Sequence, residues 1–401
     1  MKRVVVTGRG VLCAIGRGMP AFSEALRAGR QGIVPVEGLA AKVAAPVAGF
    51  DAEAEFASGE LAFLDRSAQF ALICAREAVA ESGLDAAAGL GPRTAVIVGT
   101  ASGNICSIEE SYRASLVGGR RRLPPFTVPK IMANSPASHI SMAFGVTGPA
   151  FVVATACASS AYAVGLGLQW IRAGVVDVAI VGGTEASLVD GNLKGWESLR
   201  VLSPDTCRPF SRNRNGLVLG EGAGMLVLES LDHARKRSAP VFGEIAGAGL
   251  NSDAHHILSP SVEGQADAIR QCLRDAGIDA GALAYVNAHG TATAANDVAE
   301  TRALRRALGA AADGLPVSST KSMHGHTLGA AGAIELLATL VGLQGRFAPP
   351  TLNFAEPDPE CDLNCVPNEA QPLRAGGFAL SNSFAFGGHN AVLAVASAAA
   401  V

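Results

Sequence analysis

The sequence is short of charge. Lys, Arg, Asp and Glu make up 17% of its 401 residues, against about 25% in an ordinary soluble domain. With 49% hydrophobic residues, that shortage means much surface is buried, inside the fold or against a partner. It excludes an intrinsically disordered chain, which needs the opposite balance. An excess of one sign is missing too: the formal net charge is −3. A nucleic-acid binder working through a basic field is therefore not expected. No uninterrupted apolar run reaches the roughly 18 residues that a membrane span takes, and the C-terminal run Ala391–Val401 is too short. Met1–Gly8 imitates a secretory leader for a few residues. Arg9 then breaks the stretch and no small-residue cleavage pattern follows. A strand running into a glycine turn is the reading, and a cytoplasmic protein the expectation. The eight cysteines are scattered through a large chain, so free thiols are expected rather than a disulfide frame. Cys361 and Cys365 form the one close pair; Glu360 and Asp362 beside them read as loop acids, and no metal is expected.

What the chain does have is alternation. Val4–Val6, Thr94–Val98, Phe151–Ala156, Val178–Val181, Met225–Leu228, Leu283–Ala288 and Ala391–Val395 read as short buried strands. Ser67–Ser82, Ser160–Ala173, Gly264–Ala276, Val298–Leu308 and Gly329–Leu343 carry helical spacing between them. The alternation predicts α/β layers, and 47 glycines predict closely packed helices. The charged stretch before Pro240 and the new strand after it mark a boundary between residues 1–240 and 241–401. No sequence repeat is visible.

Three segments carry chemistry. In Val152–Ser160 a buried strand runs into a helix with Cys157 at the junction. A thiol there feels the positive end of the helix dipole, which favours the nucleophilic thiolate, and free N–H groups can hold an oxyanion. Taken alone, Cys157 fits a small core residue as well. In Tyr285–Thr291 a strand ends in His289. Asp297 and Glu300 follow, to orient the turn, hold a monovalent cation or serve as ordinary helix N-terminal acids. In Val317–Gly332 a strand ends in a loop bearing Lys321, His324 and His326 and opens an Ala/Gly helix. A buried Lys321 needs a carboxylate, and Glu335 is the candidate. His324-x-His326 has metal-like spacing, but its loop holds no Cys or carboxylate ligand. Leu380–Asn390 reads as a mobile loop with Phe384 and Phe386 at its tip, either a plug or a gate. One thiol, two histidines and a lysine at strand ends suggest thioester chemistry, with two imidazole N–H donors steadying an enolate oxygen and no cofactor.

Together these motifs resemble the β-ketoacyl-acyl-carrier-protein synthases, most nearly the type II elongating enzymes. Thr-Ala-Cys at 155–157, Asn-Ala-His-Gly-Thr at 287–291 and the Lys321–Gly332 stretch occur in order, and the likeness runs nearly end to end. The resemblance implies a thiolase-like five-layered αβαβα fold of two similar halves, working as a homodimer or as a heterodimer with a chain-length factor. It implies acyl transfer from an acyl carrier protein to Cys157, then decarboxylative condensation with a malonyl thioester. His289 and His326 would bind the malonyl thioester oxygen. Cys157 and Phe386 N–H groups would form the oxyanion hole, Lys321 would pair with Glu335, and Phe386 would gate the two stages. Ser102 and Thr127 would line the acyl pocket.

Several positions depart from the family pattern. Ala385 replaces the usual Gly between the gate phenylalanines, His389 a usual Thr, and His324 a residue that does not ionise. Gly59–Asp65 lacks the basic cluster that docks the acidic carrier. Arg120–Arg122 with Lys130, or Arg208, Arg212 and Arg214, are the substitutes considered. The small polar Ser102 and Thr127 predict a roomier channel and a specialised pathway. A thiolase would need a second C-terminal cysteine, a starter-type synthase a Cys-His-Asn set, and a dead chain-length factor would lack Cys157.

Overall fold

The computed structural model describes residues 2–398, so Met1 and the last three residues of the Ala391–Val401 run lie outside it. The N-terminal half builds β1 (Val4–Cys13), β2 (Thr94–Gly99), β3 (Ala150–Val153), β4 (Val178–Glu185) and β5 (Gly222–Ser230). The C-terminal half builds β6 (Gly243–Ser252), β7 (Leu283–Asn287), β8 (Val317–Ser318), β9 (Phe378–Ala385) and β10 (His389–Ser397). The first block runs in the order β1-β5-β4-β2-β3 and the second β6-β10-β9-β7-β8. In each, the first two pairings are antiparallel and the last two parallel. The same topology has been laid down twice, without a sequence trace. The blocks meet where Val5 and Val6 of β1 pair with Glu244 and Gly243 of β6.

Helices fill the remaining layers. The chief ones are α1 (Arg66–Ser82), α2 (Ser159–Arg172), α3 (Val262–Ala276), α4 (Ala294–Leu308) and α5 (Ala331–Gly345). α1 covers β1 and β5 on one outside face; α3 covers β6 and β10 on the other, with α4 packed on α3. α2 and α5 lie between the halves, each touching strands of both. The result is the five-layered α/β thiolase-like sandwich that the resemblance implied. A helix covered on both sides must be apolar all round, and every residue from Ala331 to Leu343 is buried. Leu328–Gly345 is long and apolar enough to cross a membrane (mean hydropathy 1.4), but 89% of it is buried inside this sandwich.

One strand expected after Pro240 has an unusual composition, and one segment differs from the sequence reading. β6 reads Gly-Glu-Ile-Ala-Gly-Ala-Gly-Leu and has little strand propensity. Its small residues answer to α3: a Cβ on Gly249 would stand 2.0 Å from the Ala268 carbonyl oxygen. Leu380–Asn390 is not a mobile loop. Phe378–Ala385 is a strand paired residue for residue with His389–Ala396, and only Phe386–Gly388 leaves the ladder. Its Ser-Asn-Ser stretch looks like a loop because those polar side chains are buried rather than exposed.

The end of β2 shows how tight the layers are. A Cβ on Gly99 would lie 2.3 Å from the Ser160 nitrogen and 2.4 Å from the Ser159 carbonyl carbon. Backbone cannot move aside as a side chain can, so Gly99→Ala is expected to cost about 3 kcal/mol or more. Loss of soluble yield or a lowered denaturation midpoint checks this; a wild-type midpoint would refute it.

Candidate active site

Cys157, His289 and His326 come together in one cavity of about 170 Å³. Cys157 occupies a single 3₁₀ turn, Ala156–Ala158, between β3 and α2. Ala156 just before it holds a left-handed φ of 48°, a conformation costing on the order of 1–3 kcal/mol outside glycine. Ser159 holds that turn: its Oγ accepts the Thr155 N–H at 2.9 Å and donates to the Ala156 carbonyl at 2.6 Å. The turn leaves Cys157 facing the cavity at 6% exposure.

The histidines arrive from the other half. His289 follows the end of β7. Glu300 of α4 accepts the His289 and Gly290 N–H groups, both at 2.8 Å, and the Asn382 amide at 3.1 Å. Asp297, one turn earlier, accepts the Phe210 N–H at 2.8 Å. Of the open readings for these acids, orienting the turn is the one the bonds describe. His326 is pinned through its backbone, donating to the Val218 carbonyl at 2.7 Å and accepting from Gly220 at 3.0 Å. Gly325 before it needs its φ of 69°, since a Cβ there would stand 2.8 Å from that of Ala45. The two rings meet edge to face, 5.3 Å between centroids.

Their protonation follows from their neighbours. Lys321 Nζ lies 3.3 Å from His289 Nδ1, and an ammonium can only donate. The Leu328 N–H donates to His326 Nδ1 at 3.3 Å. Both Nδ1 atoms are therefore acceptors, and a neutral ring then carries its proton on Nε2. Burial, with Lys321 adding to it, pushes both imidazoles well below their ordinary range, so both are neutral donors near pH 7. Lys321 also forms a 2.5 Å ion pair with Glu335 of α5, both partners buried. Burial raises the Glu335 carboxyl to about 7, against the pull of Lys321. The thiol differs from the sequence expectation. Burial pushes Cys157 up to about 12 despite the opposing pull of Lys321, so desolvation of the thiol decides the direction.

One ligand atom each from Cys157, His289 and His326 lie within 4.8 Å of one another, a spacing that a soft metal could use. The surroundings oppose it. A metal-bound imidazole donates its second nitrogen to a carboxylate or carbonyl, whereas here each Nδ1 faces a donor. The residues do not fit a metal. His324 points into Thr320 Oγ1 and the Gly325 carbonyl, and burial lowers it to about 3.

The chain matches the model of the β-ketoacyl synthase N-terminal domain over residues 1–234 and that of the C-terminal domain over 242–355. The chain belongs to the β-ketoacyl synthase family. It is 45% identical over 398 residues to Nodulation protein E of Rhizobium sp. (strain N33), covering 98% of each. It is 39% identical over 404 residues to 3-oxoacyl-[acyl-carrier-protein] synthase 2 of Staphylococcus aureus (strain COL), covering 98% of this chain and 97% of the relative. The solved structure of the ishigamide ketosynthase/chain length factor aligns over 99% of both chains with 36% identity and a TM-score of 0.93.

The other expected residues of this ketosynthase divide. Phe384 lies in β9 at 5% exposure, 6.3 Å from the His289 ring, and is a wall rather than a moving tip. Phe386 lies outside the ladder and stacks on Trp196 at 5.9 Å. Ala385 is extended and pairs with His389, which meets the Tyr162 ring edge-on. Ser102 and Thr127 are not among the residues lining the cavity. The Ser102 N–H donates to Glu185, and Thr127 Oγ1 donates to the Pro124 carbonyl. Arg214 is bonded to Asp358 at 2.5 Å with 6% of its side chain exposed, which removes it from the docking candidates. Arg208 pairs with Asp205 at 2.7 Å.

Sequence reasoning missed Glu185. This buried acid ends β4 and accepts the N–H groups of Ala101 (2.7 Å), Ser102 (3.1 Å) and Gly329 (3.0 Å), tying the turn after β2 to the His326 loop. Its signal was an acid closing the apolar run Val178–Val181.

Two outcomes follow from these charges. Alkylation of Cys157 by iodoacetamide is expected to quicken about tenfold per pH unit from pH 7 to 9, since only thiolate reacts; a plateau below pH 8 would contradict the buried thiol. Lys321→Met should cost about 3–5 kcal/mol by stranding Glu335, and adding Glu335→Leu should recover much of it. Denaturation midpoints of the single and double variants test the pair.

Proposed function

We propose that Cys157 is the acyl acceptor of a β-ketoacyl-[acyl-carrier-protein] synthase and that His289 and His326 drive its decarboxylation step. The observation that carries the reading is one buried thiol facing two neutral imidazole N–H donors inside one cavity. The sulfur attacks the acyl thioester carbonyl and the carrier thiol leaves with a proton. The Cys157 and Phe386 N–H groups hold the oxyanion. A malonyl thioester then enters and its carbonyl oxygen accepts from both Nε2–H groups. As CO₂ departs, charge collects on that oxygen, where fixed donors stabilise it best. The enolate carbon attacks the acyl-Cys157 carbonyl and expels the thiolate, and the chain is two carbons longer. Lys321 and Glu335 set the His289 tautomer, Asp297 and Glu300 its turn, and Phe386 screens the cavity between the stages. The halves divide at 240/241, a reading the repeated strand order supports.

A second subunit belongs to this reading. Tyr112, Leu116, Val117, Phe126, Val128 and Met142 are 43–83% exposed, an apolar cluster that marks an interface. The edge strand β3 lies at the same end of the sheet. A second copy covers the patch, or a chain-length factor does, as the name of the ishigamide relative suggests. Thr127 lies between Phe126 and Val128 of this region, so the reading completes the acyl channel there. Higher identity to Nodulation protein E than to the synthase 2 relative favours a specialised pathway.

Intact mass after incubation with a panel of acyl-carrier thioesters tests the reading. Wild type should gain one acyl group and Cys157→Ala none. His326→Ala should still acylate but release CO₂ from the malonyl thioester at least about a hundredfold more slowly, the loss typical of one oxyanion donor. Normal elongation by His326→Ala would sink its role.

A further inference from the structure

The cavity holds a polar side chain that the mechanism above leaves unused. Gln265 stands in the first turns of α3, is 1% exposed and lines the same cavity as Cys157. Neither its Oε1 nor its Nε2 has a hydrogen-bond partner. The polar groups around it are satisfied among themselves. Asn390 Nδ2 donates to Asn251 Oδ1 at 2.9 Å and Asp253 Oδ1 at 2.6 Å, and Asp253 Oδ2 accepts the Ser261 N–H at 3.0 Å. The Gly388 carbonyl, on the same wall, takes the Asp253 N–H at 2.8 Å. Gln265 is left outside a closed network.

A buried carboxamide with both ends unpaired lowers stability, and a leucine of similar size would not carry that cost. Its presence facing the reaction cavity is explained if the partner arrives with the ligand. The side chain offers a donor and an acceptor side by side. A secondary amide supplies a partner for either end, its carbonyl for Nε2–H or its N–H for Oε1, one at a time because in the trans amide the two point in opposite directions. We propose that Gln265 is a specificity-determining residue that pairs with a secondary amide of the incoming thioester. The inference rests on the ketosynthase reading of the cavity. Two sources supply such an amide: the pantetheine arm that carries the thioester, or an acyl chain that itself contains an amide.

The test compares wild type with Gln265→Leu on three thioesters, following acylation of Cys157 by intact mass. One is an acyl-pantetheine. One is the ethanethiol thioester of the same acyl chain, without amides. One is an ethanethiol thioester whose acyl chain carries a secondary amide. The pantetheine-to-ethanethiol ratio of kcat/KM is expected to fall at least tenfold in the variant, mostly through KM. A fall confined to the amide-bearing chain keeps the residue's role and assigns the chain as source. Ratios within twofold of wild type for both pairs overturn the proposal, as does an equal loss on all three substrates. The free variant should melt no lower than wild type; a lower melting temperature with unmoved ratios marks a merely structural residue. Gln265→Met, unbranched and of equal length, repeats the comparison if leucine disturbs the turn. Absence of any acylation in wild type would instead sink the ketosynthase reading, and the proposal that rests on it.

Discussion

The buried ammonium of Lys321 is the constraint on which the rest of the site depends. It is fully enclosed and lies between the Glu335 carboxylate and His289 Nδ1. Taking a charge out of water is expensive unless it is paired, so Lys321 and Glu335 stand or fall together. That pairing accounts for a charge in an otherwise apolar helix such as α5. It also fixes which nitrogen of His289 bears hydrogen, because an ammonium leaves its neighbour only the acceptor's part. A neutral residue at 321 would let the ring choose, and half of the tautomers would turn a lone pair toward the cavity.

Burial then works on each reacting group differently. It disfavours charge on the imidazoles, which is useful, because neutral rings keep their N–H donors without a cation's claim on the malonyl carboxylate. That carboxylate has to leave as CO₂, and a cationic clamp would hold it back. Burial also disfavours the thiolate of Cys157, which is a cost to the first stage. In the mechanism proposed above, the sulfur would depend on the local positive field of Lys321 and on donors positioned for the oxyanion, rather than on a standing negative charge. In a cavity of low dielectric such fixed groups act more strongly than they would in water.

Much of this was legible in the sequence. Cys157, His289, Lys321 and His326 each stand at the end of a readable strand or at the mouth of a readable helix, and Glu335 was found from the rule that a buried lysine needs a carboxylate. What could not be read has physical reasons. β6 was placed only as a strand following Pro240, and its extent could not be read because it is built of glycine and alanine where α3 presses on it, so packing overrode propensity. β9 hides Ser381, Asn382 and Ser383 in a buried strand, where the ladder with β10 satisfies the backbone and, among the described residues, only the Asn382 amide finds a side-chain partner, Glu300. The alkaline shift of Cys157 depends on how completely the cavity closes, which no local pattern records. Glu185 was missed because its partners are backbone N–H groups, and those carry no residue signature.

Those backbone partners explain how two halves keep one geometry. The sulfur belongs to the first half and both imidazoles to the second, so their separation is set by packing between halves rather than within either. Two side chains of the first half reach across to the start of α5, where helix N–H groups lack partners of their own. Glu185 accepts from Gly329 and Ser160 Oγ accepts from Ala333 at 2.9 Å. Gly332 lets the helices close, since a Cβ there would stand 2.9 Å from the Ala161 nitrogen. Ser160 follows Cys157 by three residues and Gly329 follows His326 by three. Each cross-link therefore sits about one turn from a reacting group, close enough that a slip between the halves would have to break a hydrogen bond before it could separate the thiol from its donors.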